Sequence, residues 1–313
     1  MENKFKIFSG SSHPELALEI ADKLNSKLGK ITIKRFSCGE IYINVDETVR
    51  GKDVFLVQTA TENVNEDYME LFLLIDTMRR SFANSVHVII PHFGYARQDK
   101  LHEARETISA KLMADLIIKS GADHIVTFHL HSDQIQAFFD VPLDNLNTRK
   151  MFAKYFKNKN LNDLVVVSPD VGGAKAAKKF ANELDVPIAI LSKSRPEHNK
   201  ATIDHVIGEV AHKTCILYDD MIDTAGSVCR AQSALVKKGA NPDIYLCATH
   251  PVFSGDAIEN LSTASFKEVV TTNTIPVPTE KKFKGLKQIS IASLIAEVID
   301  HVIRKTSVSS LYF

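Results

Sequence analysis

Two neighbouring acids, Asp219 and Asp220, follow an apolar run and precede a turn of small residues that opens a helical stretch. Open α/β sheets bind ligands at the carboxyl ends of their strands, where we expect these acids. The turn comprises Asp223, Thr224, Ala225, Gly226 and Ser227. Its N–H groups and hydroxyls can surround a phosphate at the positive end of the next helix, and Gly226 allows close approach. Acids repel phosphate, so Asp219 and Asp220 are expected to take sugar hydroxyls, directly or through Mg²⁺. The pattern predicts a phosphoribosyl-binding loop.

The same residues have a simpler interpretation. Thr224 alone is well suited to cap a helix, with its hydroxyl accepting a backbone N–H. The two acids would then belong to a strand that ends in a solvated acidic turn. The whole combination of apolar run, paired acids and small-residue turn favours the phosphoribosyl-binding loop.

Two histidines and two acids form a second candidate site. His129 and His131 lie two residues apart at the end of a predicted strand, so they share a face if the strand stays extended. Asp133 follows, and a histidine beside a carboxylate is often a metal or phosphate site. Two structural histidines are the alternative. Asp170 follows another apolar run and precedes a glycine pair that opens a helix, so it could complete a Mg²⁺ site.

Basic residues occur at two further strand ends. Arg97 lies at a strand-to-loop junction, where its guanidinium can bind a polyphosphate through two hydrogen bonds. The charged stretch after it, 100–107, lacks apolar anchors, and we expect a mobile lid there. Lys193 and Arg195 share a face in extended geometry and suit the charge that develops on a transferring phosphate. Solvated surface positions are the alternative for both groups.

These residues are expected on a fold in which strands and helices alternate. Short β-rich apolar runs alternate with stretches of helical period, which is typical of mostly parallel sheets flanked by helices. The predicted strands are 6–9, 31–37, 53–58, 86–91, 124–130, 164–168, 188–191, 214–218, 244–248 and 268–272. The clearest predicted helices are 67–80, 108–119, 173–184, 224–238 and 291–304. Polar turn formers at 144–148 predict a boundary between two similar α/β domains, 1–147 and 148–313.

Composition predicts a soluble enzyme whose partners are small molecules and copies of itself. The 313 residues carry 38 basic and 38 acidic side chains, so the chain lacks the strong field that attracts nucleic acid or an acidic membrane. The first residues contain no apolar signal core, and no segment approaches the length needed to cross a bilayer. Four cysteines without paired spacing favour reduced thiols and a cytoplasmic location.

Four segments resemble the signature segments of the ribose-phosphate diphosphokinase family, whose members are also called phosphoribosyl pyrophosphate synthetases. The segments are Tyr95-Ala-Arg-Gln-Asp-Lys100, His131-Ser-Asp-Gln-Ile-Gln136, Val167-Ser-Pro-Asp-Val-Gly-Gly-Ala-Lys175 and Asp219-Asp-Met-Ile-Asp-Thr-Ala-Gly-Ser227. The resemblance covers nearly the whole chain in order. The last segment is shared with phosphoribosyltransferases, whereas the first segment and the duplicated architecture are far more specific to the diphosphokinases.

The resemblance implies that MgATP and ribose 5-phosphate react to give phosphoribosyl diphosphate (PRPP) and AMP for nucleotide biosynthesis. It implies two phosphoribosyltransferase-type domains and gives each matching residue a role. The ribose 5-phosphate residues would be Asp219, Asp220, Asp223, Thr224, Ala225, Gly226 and Ser227. The ATP residues would be Arg97, Gln98, Asp99 and His131, with Phe36, Cys38 and Glu40 from a neighbouring subunit. The catalytic basic pair would be Lys193 and Arg195, and the Mg²⁺ ligands would be His131 and Asp170.

Family members are usually hexamers built from dimers, so the resemblance implies a homodimer or a homohexamer. Two alternatives to the diphosphokinase stay open. A phosphoribosyltransferase would use the same loop but would normally need one such domain. A non-catalytic regulatory subunit of a PRPP synthetase complex would keep the fold, but retention of Lys193, Arg195 and the acidic loop argues against it.

Overall fold

A computed structural model of the chain describes residues 4–101, 103–197 and 200–311, and over 193–197 and 200–204 it describes the backbone alone. The strands are β1 (Phe5–Ser9), β2 (Ile31–Arg35), β3 (Ile41–Val45), β4 (Asp53–Val57), β5 (Ser85–Ile90), β6 (His124–Phe128), β7 (Leu143–Leu146), β8 (Leu164–Ser168), β9 (Ile188–Glu197), β10 (Lys200–Ile207), β11 (Thr214–Ile222), β12 (Tyr245–Pro251), β13 (Glu268–Thr272) and β14 (Leu286–Ile289). The α-helices are α1 (Pro14–Lys23), α2 (Val64–Arg80), α3 (Ser109–Ser120), α4 (Arg149–Lys157), α5 (Ala174–Leu184), α6 (Gly226–Lys237), α7 (Ala257–Thr263) and α8 (Ala292–Arg304). Each helix of the described ranges falls short of the length or the apolar character needed to cross a membrane.

The chain divides into two compact units. Unit 1 comprises Met1–Asn147, Thr274–Pro276 and Ser290–Phe313, and unit 2 comprises Thr148–Asn273 and Val277–Ile289. The second predicted domain, 148–313, differs from unit 2 in its last helix. α8 belongs to unit 1 because it packs against α1. The buried faces of the two helices include Ile295 and Ile299 of α8 and Leu16 and Ile20 of α1.

Unit 1 is built on a parallel sheet with the strand order β1-β4-β5-β6-β7. Every residue of β6 is buried, as expected for a parallel strand covered on both faces. α2 packs against β3, β4, β5 and α3. α3 ends at Gly121, whose φ of 114° is the left-handed conformation that favours glycine. A separate antiparallel hairpin pairs β2 with β3 and carries the loop 36–40.

Unit 2 is built on a sheet with the strand order β10-β9-β8-β11-β12-β13-β14. All neighbouring strands are parallel except β10 and β9, so this sheet is also mostly parallel, as predicted. Alternate residues of each central strand belong to two different buried clusters. Leu217 of β11 lies in one cluster with Val167, and Tyr218 lies in the other with Val166. Side chains alternate in direction along a strand, so both faces of the sheet are covered.

A chain of polar contacts crosses the amino ends of the unit 1 strands. Ser85 Oγ donates to Asp53 Oδ1 (2.7 Å) and lies 2.8 Å from His87 Nε2. His87 Nδ1 lies 3.1 Å from His124 Nδ1, and His124 Nε2 lies 3.1 Å from Asp144 Oδ2. Burial lowers the pKa of His87 to about 4, and the neighbouring His124 adds to the shift. His87 is therefore neutral at physiological pH.

Candidate functional site

The order of the unit 2 strands reverses between β8 and β11. The chain leaves β8 for β9 on one side, returns to β11 on the other side of β8, and continues outward to β12. Loops at the carboxyl ends of two such strands diverge and leave a crevice, which is where open α/β sheets bind ligands. The two loops at this crevice carry Asp170 after β8 and Asp223 to Ser227 after β11.

Asp219 and Asp220 lie inside β11, which continues to Ile222. The predicted strand ended at Tyr218, and that end is wrong because β12 keeps pairing with β11 beyond the apolar run. Asp219 pairs with Ala248 of β12 on one side. The pairing with β8 stops at Leu217, so β11 runs past its neighbour at the level of the acids. This edge gives the two carboxylates access to the crevice.

The carboxylates of Asp219 and Asp220 lie in surroundings that disfavour further negative charge. Burial raises the pKa of Asp219 well above its ordinary value, and the charges of Asp220 and Asp170 add to the shift. Asp219 Oδ1 accepts the N–H of Asp220 (2.9 Å), and Asp220 Oδ1 accepts the N–H of Met221 (2.9 Å). A site of this kind favours hydroxyl donors or a cation as its ligand.

The turn from Asp223 to Ser227 leads directly into α6. Ala225 has a φ of 61° and precedes the first helical residue, Gly226. Thr224 is exposed and is not the helix cap, so the cap interpretation of Thr224 is wrong. Asp223 accepts a hydrogen bond from Ser254 Oγ, and Asn260 Nδ2 donates to the Thr224 carbonyl (2.9 Å). The turn is thus held from outside, and the first N–H groups of α6 have no acceptor within the helix.

The loop after β8 is fixed by its own polar groups. Gly173 N donates to Asp170 Oδ1 (3.0 Å), and Ser168 Oγ donates to the Asp170 carbonyl (2.7 Å). A Cβ on Gly173 would lie 2.9 Å from Ser168 Oγ, so a larger residue would displace this loop. Asp170 therefore has a defined orientation at the start of α5.

The predicted catalytic pair falls in β9. The backbone of Lys193 and Arg195 lies in β9, where Lys193 pairs with Ile203 of β10. Their side chains lie outside the part of the chain that the structure describes, so their role stays a prediction.

The hairpin loop of unit 1 exposes all three residues predicted to cap adenine. Phe36, Cys38 and Glu40 are exposed, with Phe36 54% accessible. The loop is closed by Phe36 N donating to the Glu40 carbonyl (2.9 Å), and the Phe36 ring meets Tyr42 edge-on at 5.8 Å. A large exposed aromatic on a closed loop is suited to a planar ligand.

The segment after β5 carries Arg97, Gln98 and Asp99. The Arg97 side chain is exposed. Gln98 accepts a hydrogen bond from Ser109 Oγ through its side-chain oxygen, so part of its polar capacity serves the fold. The described residues of 100–107, where the lid is predicted, contain no helix or strand and are mostly exposed. The mobility of this stretch stays a prediction.

His131 is exposed, but the strand before it ends earlier than predicted. β6 stops at Phe128, and His129 has a φ of 40°, which leaves the extended region. The argument that His129 and His131 share a strand face is therefore wrong. His129 N donates to the Leu146 carbonyl (2.8 Å), which ties this turn to β7.

The predicted Mg²⁺ site combines the imidazole of His131 with the carboxylate of Asp170. His131 belongs to unit 1 and Asp170 to unit 2. Among the described residues, no group of three or more His, Cys, Asp or Glu side chains could hold a metal ion. Mg²⁺ commonly binds through one or two carboxylates together with water and substrate phosphates, so Asp170 fits such a site.

Known proteins resemble this chain over its whole length. Residues 5–121 match the model of the N-terminal domain of ribose phosphate pyrophosphokinase, and residues 194–313 match that of the phosphoribosyl synthetase-associated domain. The chain is 46% identical over 311 residues to the ribose-phosphate pyrophosphokinase of Bacillus subtilis, covering 99% of this chain and 98% of the relative.

The chain belongs to the ribose-phosphate pyrophosphokinase family. The Fusobacterium nucleatum member is 47% identical over 312 residues, with 99% of this chain and 98% of the relative covered. The crystal structure of phosphoribosylpyrophosphate synthetase from Mycobacterium smegmatis is 41% identical, with a TM-score of 0.92 over 97% of this chain and 100% of that one. The resemblance seen in the sequence motifs is confirmed.

Two residues that hold the turn from Asp223 to Ser227 in place were not predicted from the sequence. Ser254 and Asn260 contact the turn from 31 and 36 residues away. Neither residue lies in a recognisable motif. Their only signal is a polar side chain near the start of a short helix, which many helices share.

Proposed function

We propose that this member of the ribose-phosphate pyrophosphokinase family transfers the diphosphoryl group of MgATP to the anomeric hydroxyl of ribose 5-phosphate. The observation that carries the proposal is the full-length similarity to ribose-phosphate pyrophosphokinases. A bond forms between the anomeric oxygen and the β-phosphorus, and the bond from that phosphorus to the oxygen of the α-phosphate breaks. AMP leaves with that oxygen, the hydroxyl proton passes to solvent, and PRPP is the product.

The proposed sugar site is the turn after β11. Asp223, Thr224, Ala225, Gly226 and Ser227 would hold the 5-phosphate at the start of α6. The first N–H groups of α6 have no acceptor within the helix, and no side-chain hydrogen bond caps this described helix end, which supports the assignment. Asp219 and Asp220 would accept the ribose hydroxyls, and the raised pKa of Asp219 supports them because donors relieve crowded negative charge.

The proposed nucleotide site uses unit 1 residues. Arg97, Gln98, Asp99 and His131 would bind ATP, and Phe36, Cys38 and Glu40 of a neighbouring copy would cover adenine. The exposure of these three loop residues supports a contact with another copy. The active form is accordingly proposed to be a homodimer or a homohexamer working in the cytoplasm.

Two further groups complete the proposed chemistry. Lys193 and Arg195 would stabilise the charge that builds on the transferring group. Asp170 and His131 would support Mg²⁺, which supplies charge neutralisation to the polyphosphate when bound. Most of the work left to the protein is to position and neutralise the reactants.

A coupled assay tests the proposal directly. AMP release from MgATP should depend strictly on ribose 5-phosphate, and PRPP should accumulate in equal amount. Turnover of PRPP with a nucleobase, and no AMP from ribose 5-phosphate, would instead identify a phosphoribosyltransferase. No turnover in either assay by protein that is folded and assembled would point to a regulatory subunit.

A further inference from the structure

The turn that precedes Arg97 contains a residue in a strained backbone conformation. Tyr95 has a φ of 63°, in the left-handed region that residues with a side chain rarely adopt. Such a conformation persists only where the surroundings hold it, and it concentrates at binding sites. Tyr95 lies two residues before Arg97, so its conformation sets the path of the chain there.

The residue before Tyr95 packs directly against the start of α2. A Cβ on Gly94 would lie 2.7 Å from Cγ2 of Val64 and 2.9 Å from Cβ of Ala60. Both distances are shorter than real Cβ contacts, so the turn has room for glycine only. The close approach brings the Gly94–Tyr95 turn within reach of side chains in the first turns of α2.

Two side chains of α2 hold this turn by hydrogen bonds. Tyr68 Oη donates to the Gly94 carbonyl at 3.0 Å, and Tyr95 Oη donates to Asn65 Oδ1. Asn65 and Tyr68 are three residues apart on α2, so they lie on one face of the helix. The Tyr68 side chain is 4% exposed, and its ring lies 6.0 Å from that of Tyr95. The Tyr68 contact is therefore built into the core of unit 1, whereas the Asn65 contact lies at its surface.

The other end of the segment is held by α3. Gln98 N donates to the Tyr95 carbonyl (2.9 Å), and Ala110 N donates to the Gln98 carbonyl (3.2 Å). Ser109 Oγ donates to the Gln98 side chain. Arg97 thus lies between two residues with fixed backbone positions, while its own side chain is exposed.

We propose that Asn65 and Tyr68 are positioning residues for nucleotide binding. They hold Gly94 and Tyr95 in the strained turn and so aim the Arg97 guanidinium at a nucleotide polyphosphate before it arrives. A segment ordered in advance spares the ordering cost of binding. The inference rests on the proposed function, in which Arg97 binds ATP.

The test compares MgATP binding in variants that remove single atoms or side chains. Tyr95→Phe deletes one hydroxyl, and we expect the Kd for MgATP, measured by calorimetry without sugar, to rise about three- to tenfold, the effect of one hydrogen bond. Asn65→Ala should give a similar rise. The Kd for MgATP of the variant with both substitutions should equal that of either single variant, because both substitutions remove the same hydrogen bond. The KM for ribose 5-phosphate should stay within about twofold.

Tyr155→Phe is the matched control. It deletes a hydroxyl that donates to Glu268 Oε2 at 2.8 Å in unit 2, so MgATP affinity should be unchanged. A lower melting temperature for Tyr95→Phe with wild-type MgATP affinity would show a merely structural contact and overturn the inference. Losses of MgATP affinity that add up in the variant with both substitutions would also overturn the inference. Wild-type protein that binds MgATP but releases no AMP would refute the proposed function and leave this binding test intact.

Discussion

Lys193 and Arg195 are expected to act only while charge builds on the transferring group. Lys193→Ala and Arg195→Ala should each lower kcat about a hundredfold or more, because such groups contribute a few kcal/mol to the transition state alone. Ribose 5-phosphate affinity, measured by calorimetry, should change little. Lys213→Ala is a suitable control, since this lysine pairs with Asp163 (3.3 Å) at the amino end of β11. Wild-type turnover in both catalytic variants would contradict the assignment.

His87 makes a defined contribution to acid sensitivity. Its pKa is about 4 in the folded chain against an ordinary value of 6.5, so the unfolded chain binds more protons between these values. The free energy of unfolding should therefore fall as the pH drops from 6.5 to 4, with about 3 kcal/mol due to this group. Urea unfolding at a series of pH values measures the slope.

A substitution at His87 distinguishes its contribution to the pH dependence of the free energy of unfolding from that of the carboxylates, which also titrate in this range. His87→Gln should flatten the slope between pH 6.5 and 4, because it removes the group whose pKa burial lowers. An unchanged slope in His87→Gln would mean that burial does not lower the pKa of His87 in the folded chain.

At the level of elements, the turn between β11 and α6 is predicted to serve the sugar alone. Asp223→Asn and Thr224→Val should raise the KM for ribose 5-phosphate about tenfold, the size expected when one hydrogen bond to a charged group is lost or the turn is disturbed. MgATP binding should stay nearly intact, because these residues shape only the sugar-phosphate turn. Calorimetry with MgATP in the absence of sugar checks the second part. Equal loss of both affinities would assign the turn to the wrong substrate. Thr263→Val, at the end of α7, is a matched control for Thr224→Val.

Element ends could be predicted where the pattern is local. β8 and β13 have their predicted bounds because polar or turn-forming residues follow each apolar run. β11 extends four residues further because its neighbour β12 continues to pair. β6 stops short because His129 adopts a left-handed backbone, which no residue type in that run indicates. Long-range pairing and local strain are thus the parts that sequence patterns do not contain.

The candidate site was predictable to a similar degree. Its acids and small-residue turn carry their chemistry in residue type and spacing, so Asp219 and Gly226 could be singled out directly. Ser254 and Asn260 act through contacts that exist only after folding. The same is true of Tyr68, whose hydroxyl reaches the Gly94 carbonyl from another element.

For the whole molecule, the shared adenine site predicts that catalysis needs more than one chain. Dilution below the dissociation range should abolish activity by mass action while each chain stays folded. Phe36→Ala chains and Lys193→Ala chains, each nearly inactive alone, should regain activity when assembled together. Some sites then combine an intact hairpin loop from one chain with an intact basic pair from the other.

Native mass spectrometry shows whether mixed assemblies form in this experiment. Mixed assemblies without any recovered activity would place the adenine pocket within a single chain. A mixture of two different Lys193→Ala preparations is the negative control, because no site in it contains an intact basic pair.

The packing of α8 against α1 has a consequence for synthesis on the ribosome. All the strands of the unit 1 sheet are translated before unit 2, but α8 follows unit 2. At 5–20 residues per second, the roughly 150 residues between β7 and α8 take on the order of ten seconds to emerge. During that interval the α1 face that carries Leu16 and Ile20 lacks its partner helix. The unit whose synthesis begins first is therefore the last to be completed.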